Sequence, residues 1–284
     1  PHECSSAASD VYKRQLFGST RWLDIGNIRI QPSELAKPII ILWVARQLSN
    51  EKIKEHDLKT IWRAGFIPGL AVILIFLQPD FGTTATIAFI VFIQFLFSKT
   101  KLIYPALLSI GGWFIGRYFL ESEFYRAERL RVWSEGICNQ GQELLGACFQ
   151  VHQSRIAISS GGMFGLGPGT SRARWGSLPS AYSDFISSII GEEYGFIGYL
   201  IFIFILSICI ITFFLIAVRE KNEFKKIFIS GLGAWILFQS VLNLGASVYL
   251  LPITGIVLPF VSYGGTAMVS IFVALGIMHC RVDE

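Results

Sequence analysis

Long apolar runs constrain this chain more than any other feature of its sequence. Seven of them approach the roughly 20 residues that a helix needs to cross a bilayer. They fall at residues 32–49, 64–79, 82–98, 102–120, 196–217, 227–250 and 260–279. Because backbone exposed to lipid must satisfy its own hydrogen bonds, these runs predict helices rather than strands. The sequence therefore predicts an all-α, polytopic transmembrane bundle of about seven spans, with the second and third in a tight hairpin.

Composition supports a membrane environment and argues against other classes of protein. Of the 284 residues, 52% are hydrophobic and 15% are charged, whereas soluble domains carry about 25% charged residues. The sequence has no basic tract with interleaved aromatic residues, so nucleic-acid binding is not predicted. The four histidines are scattered and the five cysteines lack C-x-x-C spacing, so the pattern predicts no metal site.

Lysine and arginine in the short connections predict how the spans are oriented. The connections after the first, third and fifth spans and the segment after the seventh are basic, whereas 78–82 and 251–259 are not. The residues concerned are Lys52, Lys54, Lys59, Arg63, Lys99, Lys101, Arg219, Lys221, Lys225, Lys226 and Arg281. This alternation predicts cytoplasmic basic connections. The segment 16–31 and a long loop at about 121–184 are then expected to lie outside.

The chain is expected to comprise a leader and one transmembrane domain. Residues 1–15 have neither the apolar core of a signal peptide nor continuity with the segment after them, so we expect a non-native or disordered leader. Residues 16–284 form the transmembrane domain. Because this domain would start on the outer side without a signal, we expect that upstream spans are missing.

The long outer loop holds most of the polar residues that could carry chemistry. Its arginines are Arg126, Arg129, Arg131, Arg155, Arg172 and Arg174. Beside them lies the glycine-rich stretch Gly161-Gly-Met-Phe-Gly-Leu-Gly-Pro-Gly169. Backbone N–H groups and guanidinium groups both suit phosphate oxygens, so this stretch could wrap a phosphate. The alternative is a turn-rich, re-entrant loop with solvated arginines, and the residues alone favour that alternative.

Three acidic residues stand where the outer loop enters the next span. Asp184 either caps that helix or acts as a general base at the boundary between water and lipid, and capping is the default interpretation. Glu192 and Glu193 follow one to two turns later. Acids at such a depth are costly, so we expect at least one of them to meet an arginine or a lysine.

Further polar groups lie near the ends of the early apolar runs. Glu34 and Lys37 are three residues apart and share one face of a helix. They form either an ion pair or two side chains that snorkel to the interface, and Ser33 can cap the same helix. Asp80 is expected to cap the third span. Trp22 is a candidate anchor at the membrane interface.

Two cysteines, Cys138 and Cys148, share the predicted outer loop. An oxidising exterior permits a disulfide between them. Two unpaired cysteines in apolar surroundings are the equal alternative.

Several short motifs run in a fixed order through nearly all of the chain between residues 18 and 280. They are Arg21-Trp-Leu-Asp-Ile-Gly with Gln31-Pro-Ser-Glu-Leu-Ala-Lys37, Gln78-Pro-Asp-Phe-Gly-Thr83, Gln150-Val-His-Gln-Ser154 with Ile156-Ala-Ile-Ser-Ser-Gly-Gly162, Leu178-Pro179 to Asp184-Phe-Ile, Gly191-Glu-Glu-Tyr-Gly195, and Leu251-Pro-Ile-Thr-Gly255 with Leu258-Pro-Phe-Val-Ser-Tyr-Gly-Gly265. Each motif alone is a weak signal. Together and in this order they resemble the SEDS family (shape, elongation, division and sporulation).

The resemblance implies a fold, an activity, a partner and a location. Family members have ten helices, so this chain is expected to hold the last seven. The implied activity is glycosyltransfer: polymerisation of lipid II, the undecaprenyl-pyrophosphate-linked disaccharide peptide, in bacterial elongation or division. The implied partner is a class B penicillin-binding protein, and the implied location is the bacterial inner (cytoplasmic) membrane. A divalent cation such as Mg²⁺ or Mn²⁺ is left open as a cofactor.

The resemblance also implies roles for particular residues. The family's essential acid falls on Asp184. Glu34 and Lys37 match positions that line a cavity beneath it, and Trp22 matches an outer-loop position needed for activity. Some of the loop arginines are then expected to hold pyrophosphate. The candidates are Arg126, Arg129, Arg155, Arg172 and Arg174.

The chain departs from the family pattern around the essential acid. The family usually has an acidic residue at Ser180, histidine at Tyr182 and threonine at Ser183. Subfamily features are mixed, because the stretch at Arg21 is similar to RodA whereas Gly167-Pro-Gly-Thr-Ser171 is similar to FtsW.

The rival function is transport, as a lipid II flippase that uses the same cavity and the same intramembrane charges. A flippase needs a polar path through the membrane. Because the polar residues of this sequence gather on the predicted outer face, the pattern favours the enzyme.

Overall fold

The computed structural model describes residues 22–25, 28–49, 58–78, 80–101, 103–104, 133 and 147–279. The helices whose bounds it gives are α1 (Pro32–Leu48), α2 (Leu58–Leu77), α3 (Phe81–Phe97), α4 (Ala147–Ser160), α5 (Ile186–Arg219), α6 (Glu223–Ser247) and α7 (Gly265–His279). A hairpin of β1 (Leu23–Ile25) and β2 (Ile28–Ile30) precedes α1, with Leu23 opposite Ile30. The predicted leader and nearly all of the predicted span 102–120 lie outside the described residues.

Six of the seven predicted spans are found as helices, α1 to α3 and α5 to α7. Among the described helices, α5 and α6 are long and apolar enough to cross a membrane, and 61–77, α3 and α7 are shorter apolar helices. The α-helical class is therefore confirmed, apart from the three-residue strands of the hairpin. The number of spans stays a prediction.

The predicted hairpin between the second and third spans is confirmed. Helix α2 ends at Leu77 and α3 begins at Phe81. Asp80 caps α3 as predicted: its carboxylate accepts hydrogen bonds from the Thr83 backbone N (3.2 Å) and the Thr83 hydroxyl (2.9 Å). The predicted cap at Ser33 is wrong, because α1 begins at Pro32 and its N-cap is Gln31. Proline needs no partner for an N–H at that position, so the helix can start without a serine cap.

Helix α6 is the centre of the bundle. Its side chains are mostly buried, and it packs against α1, α3 and α5. The buried side chain of Gln94 on α3 ties three helices together, since its amide donates to the carbonyls of Ile41 (2.9 Å) and Ile227 (3.4 Å). A Cβ on Gly231 would lie 2.8 Å from that amide. Glycine therefore leaves the space in which the α3 glutamine reaches the α6 backbone.

Helix α5 is broken at Gly195, whose backbone (φ 68°, ψ −171°) is not helical. The part before the break is short and packs on α4, whereas the part from residue 196 is a long apolar rod. Its exposed large apolar side chains are Phe196, Ile197, Leu200, Ile201, Phe204, Ile205, Ile208, Ile211, Leu215, Ile216 and Val218. The predicted span 196–217 coincides with this rod, whose exposed apolar face suits lipid.

Two of the basic connections, those after α3 and after α5, meet at one end of the bundle. Lys99, after α3, lies 3.3 Å from Glu223 at the start of α6, and Lys226 lies 3.9 Å from the same carboxylate. At the other end, a Cβ on Gly82 would lie 2.5 Å from the Ile256 side chain. The connections 78–82 and 251–259, which lack basic residues, therefore meet at the opposite end. This arrangement agrees with the predicted alternation of charge.

Helix α4 lies inside the segment that was interpreted from the sequence as an outer loop, and it was not predicted. Its buried residues recur every three positions at Cys148, Val151, Ser154 and Ala157. This spacing places them on one helical face, a signal that was present in the sequence. With 14 residues the helix is too short for a span, so the length of apolar runs did not indicate it. Cys148 is disulfide-bonded, so the alternative of an unpaired cysteine is wrong for this residue. Its predicted partner, Cys138, lies outside the described residues, and the pairing of the two stays a prediction.

Candidate active site

Asp184 lies at the end of a tight turn directly before α5. The backbone N–H groups of Ser183 (3.2 Å) and Asp184 (3.0 Å) both donate to the carbonyl of Ser180. Ser180 has a φ of +57°, a conformation that is uncommon for residues other than glycine. Such strain persists only where surrounding contacts impose it, and it is frequent at functional sites. The turn therefore fixes where the Asp184 side chain leaves the backbone.

A second loop, between α6 and α7, holds this turn. The hydroxyl of Ser262 donates to the Ser183 carbonyl (2.5 Å) and accepts from the backbone N of Leu258 (2.8 Å). The backbone N of Tyr263 donates to the Tyr182 carbonyl (2.9 Å). These bonds join the Leu-Pro-Phe-Val-Ser-Tyr-Gly-Gly motif to the motif that contains the aspartate. The two motifs therefore form one unit, although about 80 residues separate them in sequence.

Asn243 on α6 clamps both loops from below. Its buried amide nitrogen donates to the carbonyls of Asp184 (2.9 Å) and Ile256 (2.8 Å). Its amide oxygen is buried and has no hydrogen-bond partner among the described residues. This residue was not predicted from the sequence. An amide in an apolar helix was the available signal, because polar side chains at membrane depth usually have a function.

The Asp184 carboxyl is half-buried, and among the described residues its side chain has a hydrogen bond only with Ser183. Burial raises its pKa, and a hydrogen bond with the Ser183 side chain opposes that shift. A Cβ on Gly255 would lie 3.6 Å from Asp184 Oδ2, so this glycine leaves room beside the carboxylate. The default interpretation of Asp184 as a helix cap is wrong, because the N-cap of α5 is Phe185 and its side chain makes no capping bond. The carboxylate thus stays available for another partner.

The arginines that the structure describes in this region are exposed and lie on two elements. Arg155 is on α4, and Arg172 and Arg174 flank the start of the 3₁₀ turn Ala173–Trp175. The Tyr182 hydroxyl donates to the Arg174 carbonyl (3.2 Å), which joins the arginine-bearing turn to the aspartate turn. Arg126 and Arg129 lie outside the described residues. The structure thus links two of the five candidate arginines to the turn of Asp184.

Glu34 and Lys37 form an ion pair inside the bundle, so snorkelling is wrong for them. Lys37 is 0% exposed and Glu34 5%, and Lys37 Nζ lies 2.5 Å from Glu34 Oε1. The ammonium group also lies 5.3 Å from the centre of the Trp235 ring. Glu34 Oε2 is buried without a hydrogen-bond partner among the described residues. Trp22, in contrast, is half exposed beside the β-hairpin.

One helix relates this ion pair to Asp184. Trp235 faces Lys37 and Asn243 holds Asp184, and both residues are on α6. Eight residues of helix separate them, which corresponds to about 12 Å along the axis. The pair therefore lies roughly two turns deeper in the bundle than the aspartate turn.

The glycine-rich stretch packs on the break in α5, so several of its backbone N–H groups already have partners within the protein. The N–H groups of Leu166 and Gly167 donate to the carbonyls of Glu192 and Glu193, both at 3.0 Å. In return, the N–H groups after the break donate to the stretch, Phe196 to Gly162 (2.9 Å) and Ile197 to Met163 (3.2 Å). A break leaves backbone groups without helical partners. The stretch satisfies these groups on both sides of Gly195.

Glycine is required where the two backbones touch. A Cβ on Gly165 would lie 2.2 Å from the Glu193 carbonyl oxygen, and a Cβ on Gly195 would lie 2.2 Å from the Gly165 nitrogen. Both residues also have positive φ values. We call the segment 161–167 together with the break at Gly195 the backbone clasp.

Glu192 is 2% exposed and receives hydrogen bonds rather than an ion pair from the described residues around it. Its carboxylate accepts from the Ser171 hydroxyl (2.6 Å) and from the backbone N of Arg172 (3.1 Å) and of Ala173 (3.2 Å). Among the described residues, a hydroxyl and the first N–H groups of the 3₁₀ turn therefore take the place that a cation would have at Glu192. Glu193 Oε1 is buried without a hydrogen-bond partner among the described residues.

Metal ligands do not cluster in the described part of the chain. No three histidine, cysteine, aspartate or glutamate side chains there are placed to hold an ion together. The described residues therefore define no ligand set for the divalent cation that the resemblance left open.

Comparison with known proteins places the chain in a family. The sequence model of the FtsW, RodA and SpoVE family, described as "Cell cycle protein", matches residues 8–283. The chain belongs to this family, which is the SEDS family. The predicted resemblance is confirmed.

Curated relatives agree with the family assignment. Stage V sporulation protein E of Bacillus subtilis is 32% identical over 269 residues, covering 92% of this chain and 70% of that protein. A probable peptidoglycan glycosyltransferase FtsW from Allochromatium vinosum is 35% identical over 282 residues, covering 95% and 69%. The chain thus spans about two thirds of the length of these relatives.

Solved structures confirm the fold. A chain from a peptidoglycan synthase complex that coordinates polymerization and crosslinking superposes with a TM-score of 0.67 at 23% identity, covering 92% of this chain and 72% of that one. The rod shape determining protein RodA of Thermus thermophilus superposes with a TM-score of 0.57 at 25% identity, covering 92% and 68%. The chain is therefore a helical membrane protein with a RodA-like fold.

Proposed function

We propose that this protein is a peptidoglycan glycosyltransferase that polymerises glycan strands from lipid II, with Asp184 as the general base. One observation carries the assignment of the base. The backbone of Asp184 is held in place by its own turn, by the α6–α7 loop and by the Asn243 side chain. Its carboxyl is half-buried and makes few hydrogen bonds with the described residues, and burial raises its pKa. A base works best when its pKa approaches the working pH. Relatives that carry the name peptidoglycan glycosyltransferase support the reaction class.

The reaction requires little besides a base and stabilisation of charge. The carboxylate of Asp184 accepts the proton of the acceptor sugar's 4-hydroxyl as that oxygen bonds to C1 of the donor sugar. The bond between C1 and the pyrophosphate oxygen breaks on the opposite side, with inversion at C1. The pyrophosphate leaves as an anion and needs no proton. A second carboxylic acid, which glycoside hydrolases use to protonate their leaving group, is therefore unnecessary.

The arginine-bearing turn supplies the complementary charge. Guanidinium groups bind phosphate oxygens in a planar, bidentate geometry. We assign Arg172 and Arg174 to the departing pyrophosphate, because the Tyr182 bond links their turn to the turn of Asp184. Arg155, Arg126 and Arg129 remain candidates for the same role, and Glu34, Lys37 and Trp22 remain candidates for contacts elsewhere on the substrate.

The proposed setting is the bacterial cytoplasmic membrane, with a class B penicillin-binding protein as partner. The apolar rod of α5 and the basic end of the bundle support several membrane crossings. A structural relative that belongs to a synthase complex for polymerization and crosslinking supports a crosslinking partner.

A lipid II flippase is the second candidate, and the buried pair of Glu34 and Lys37 favours it. Charges inside a membrane bundle often mark a transport path. The two charges are bonded to each other, however, and Lys37 is fully buried against Trp235. Neither charge is therefore exposed to a passing substrate in this structure. The sparsely bonded carboxyl of Asp184 lies instead at the outer turns.

Polymerisation of labelled lipid II in detergent separates the two functions. Detergent micelles have no second compartment, so a flippase gives no product there, whereas a polymerase gives a ladder of glycan strands on a gel. We expect ladders from the protein with its partner penicillin-binding protein. Absence of ladders from a folded complex, together with lipid II translocation in vesicles, would replace the proposed enzyme by the flippase.

A further inference from the structure

Glu192 is neither the proposed base nor one of the proposed substrate contacts, yet it is among the most completely bonded acids described. Both oxygens accept hydrogen bonds: Oε2 from the Ser171 hydroxyl and the Ala173 N–H, and Oε1 from the Arg172 N–H. The Ser160 hydroxyl adds a longer contact to Oε1 at 3.4 Å. Hydrogen bonds to a charged acceptor are about twice as strong as neutral ones. A buried carboxylate with such partners is a rigid anchor.

The anchor holds the start of the arginine-bearing turn. The first N–H groups of a helical turn have no partners within it, and their positive dipole end attracts an anion. Usually a residue just before the turn caps these groups. Here the cap is Glu192 on α5, reached across 19 to 21 residues of sequence. The Ser171 hydroxyl also accepts from the Arg174 N–H (3.3 Å), so the carboxylate reaches both arginine backbones.

The end of the same turn is fixed to the turn of Asp184. The hydroxyl of Tyr182, two residues before Asp184, donates to the Arg174 carbonyl. The arginine-bearing turn is therefore held at its start by Glu192 and at its end by Tyr182. The arginine side chains are exposed, so the backbone sets the points from which they reach toward a ligand.

The backbone clasp fixes the other side of Glu192. The carbonyl of Glu192 accepts from Leu166, and a Cβ on Gly161 would lie 3.0 Å from the Glu192 Cα. The backbone of Glu192 is thus held by the backbone clasp, while its side chain holds the arginine-bearing turn. Glu192 therefore joins the helix break to the arginines.

We propose that Glu192 is a positioning residue for pyrophosphate recognition, which acts by holding Arg172 and Arg174 at a fixed distance from Asp184. This inference rests on the proposed function. Glu192 has no role in proton transfer, because its oxygens are filled by donors and closed off from solvent. Its negative charge is required for the geometry of the turn, and it never touches the substrate.

The test compares Glu192→Gln with wild type in the lipid II polymerisation assay. Glutamine keeps the size but turns one acceptor oxygen into a donor that faces other donors. Losing a charge-assisted bond corresponds to a change of about 10- to 100-fold. We expect KM for lipid II and the inhibition constant of inorganic pyrophosphate to rise by about tenfold or more. Glu223→Gln, at the basic end of α6, is the matched control and should leave both constants unchanged.

A double-mutant cycle distinguishes positioning from general destabilisation. If Glu192 acts through the arginines, Glu192→Gln has little further effect on the pyrophosphate constant once Arg172→Gln and Arg174→Gln are present, since coupled residues are not additive. Independent, additive effects would overturn the inference. Ser171→Ala removes one of the same bonds more gently and should shift the constant in the same direction. If Glu192→Gln does not fold, Ser171→Ala becomes the test. An inhibition constant of pyrophosphate that is unchanged in Ser171→Ala would then overturn the inference.

The outcomes also separate this inference from the proposed function. Absence of ladders from wild type refutes the polymerase itself. Ladders from wild type, with additive effects in the cycle, refute only the role of Glu192.

Discussion

Asp184 and Glu192 are two acids on either side of the start of α5, and their surroundings are opposite in kind. Glu192 is almost fully buried and its oxygens accept bonds from a hydroxyl and backbone N–H groups. Asp184 is half-buried, and burial raises its pKa with only a side-chain bond from Ser183 opposing it. Its backbone is firmly held through Asn243, whereas its carboxyl is not.

The difference shows how one short segment can contain an anchor and a reactive group. A carboxylate whose oxygens already accept several hydrogen bonds within the protein has little capacity left for a substrate. A carboxylate with few such bonds can still accept a hydrogen bond from a substrate hydroxyl. Sequence position alone does not separate the two, because each is an acid near the outer end of one span. The number and kind of donors around each carboxylate separate them.

The largest effect is expected where the backbone clasp is broken on the Glu192 side. In Gly165→Ala a Cβ would meet the Glu193 carbonyl oxygen at 2.2 Å, so we expect a loss of more than about 4 kcal/mol in the free energy of unfolding, or failure to fold. Gly169→Ala is the matched control. It has a similar positive φ but open space, and should cost only about 1–2 kcal/mol. If Gly165→Ala and Gly169→Ala lost the same free energy of unfolding in thermal denaturation, close packing in the clasp would not be what requires glycine at residue 165.

Glu34 is a third buried acid, and it differs from Asp184 and Glu192 because its partner is a cation, Lys37. Lys37→Met leaves Glu34 charged and unpaired in the bundle, which should cost about 3–5 kcal/mol. Adding Glu34→Gln should recover most of that loss, because both charges are then gone. Thermal unfolding of the single and double variants in detergent measures this. If the double variant were as unstable as the single one, the two charges would not be buried mainly because each compensates the other.

Removing the clamp on the Asp184 backbone is expected to affect activity more than stability. Asn243→Ala frees the carbonyls of Asp184 and Ile256, so the base shifts from its position. Small misplacements of a catalytic group cost about 100-fold, and we expect kcat to fall about 10- to 100-fold. Asn222→Ala, which removes the α6 cap on Lys225 N, is the control: it should reduce stability by about 1 kcal/mol and leave kcat unchanged.

The raised pKa of Asp184 predicts opposite pH dependences of stability and activity. The folded-state pKa lies above the unfolded value, so the stability contributed by this carboxyl is present at low pH and lost as pH rises through the folded pKa. A base must be ionised, so the polymerisation rate rises across the same window. Asp184→Asn should abolish the rate and flatten this part of the stability profile. A rate that is constant across that window in wild type would contradict the assignment.

Much of the fold could be predicted from the sequence because lipid imposes simple rules on it. Apolar runs indicated the helices, and Pro-Asp-Phe at residues 79–81 indicated the α2–α3 hairpin and its cap. Helix α4 was missed because it is short and half polar. The clasp was missed because a glycine-rich stretch beside arginines fits a phosphate loop as well as a backbone contact. The two arrangements differ in what the backbone N–H groups of the stretch bind, which the sequence does not show.

The candidate site was predictable in part. The resemblance pointed to Asp184, Glu34 and Lys37, and the spacing of the latter two indicated their ion pair. The roles of Asn243 and Glu192 depend on contacts across 59 and about 20 residues. No local pattern specifies such contacts. The expectation that Glu192 or Glu193 meets an arginine or a lysine stays a prediction for Glu193, whereas Glu192 is bonded by a hydroxyl and backbone N–H groups among the described residues.

The role of Asp184 as the base is decided by activity and stability of Asp184→Asn, measured on one purified sample in complex with the partner penicillin-binding protein. We predict no glycan ladder from labelled lipid II. We also predict an unfolding temperature at neutral pH no lower than that of wild type, because the variant removes a desolvated charge. A ladder equal to wild type would contradict the assignment of the base. Loss of the ladder together with a lower unfolding temperature would show that the carboxylate supports the fold instead.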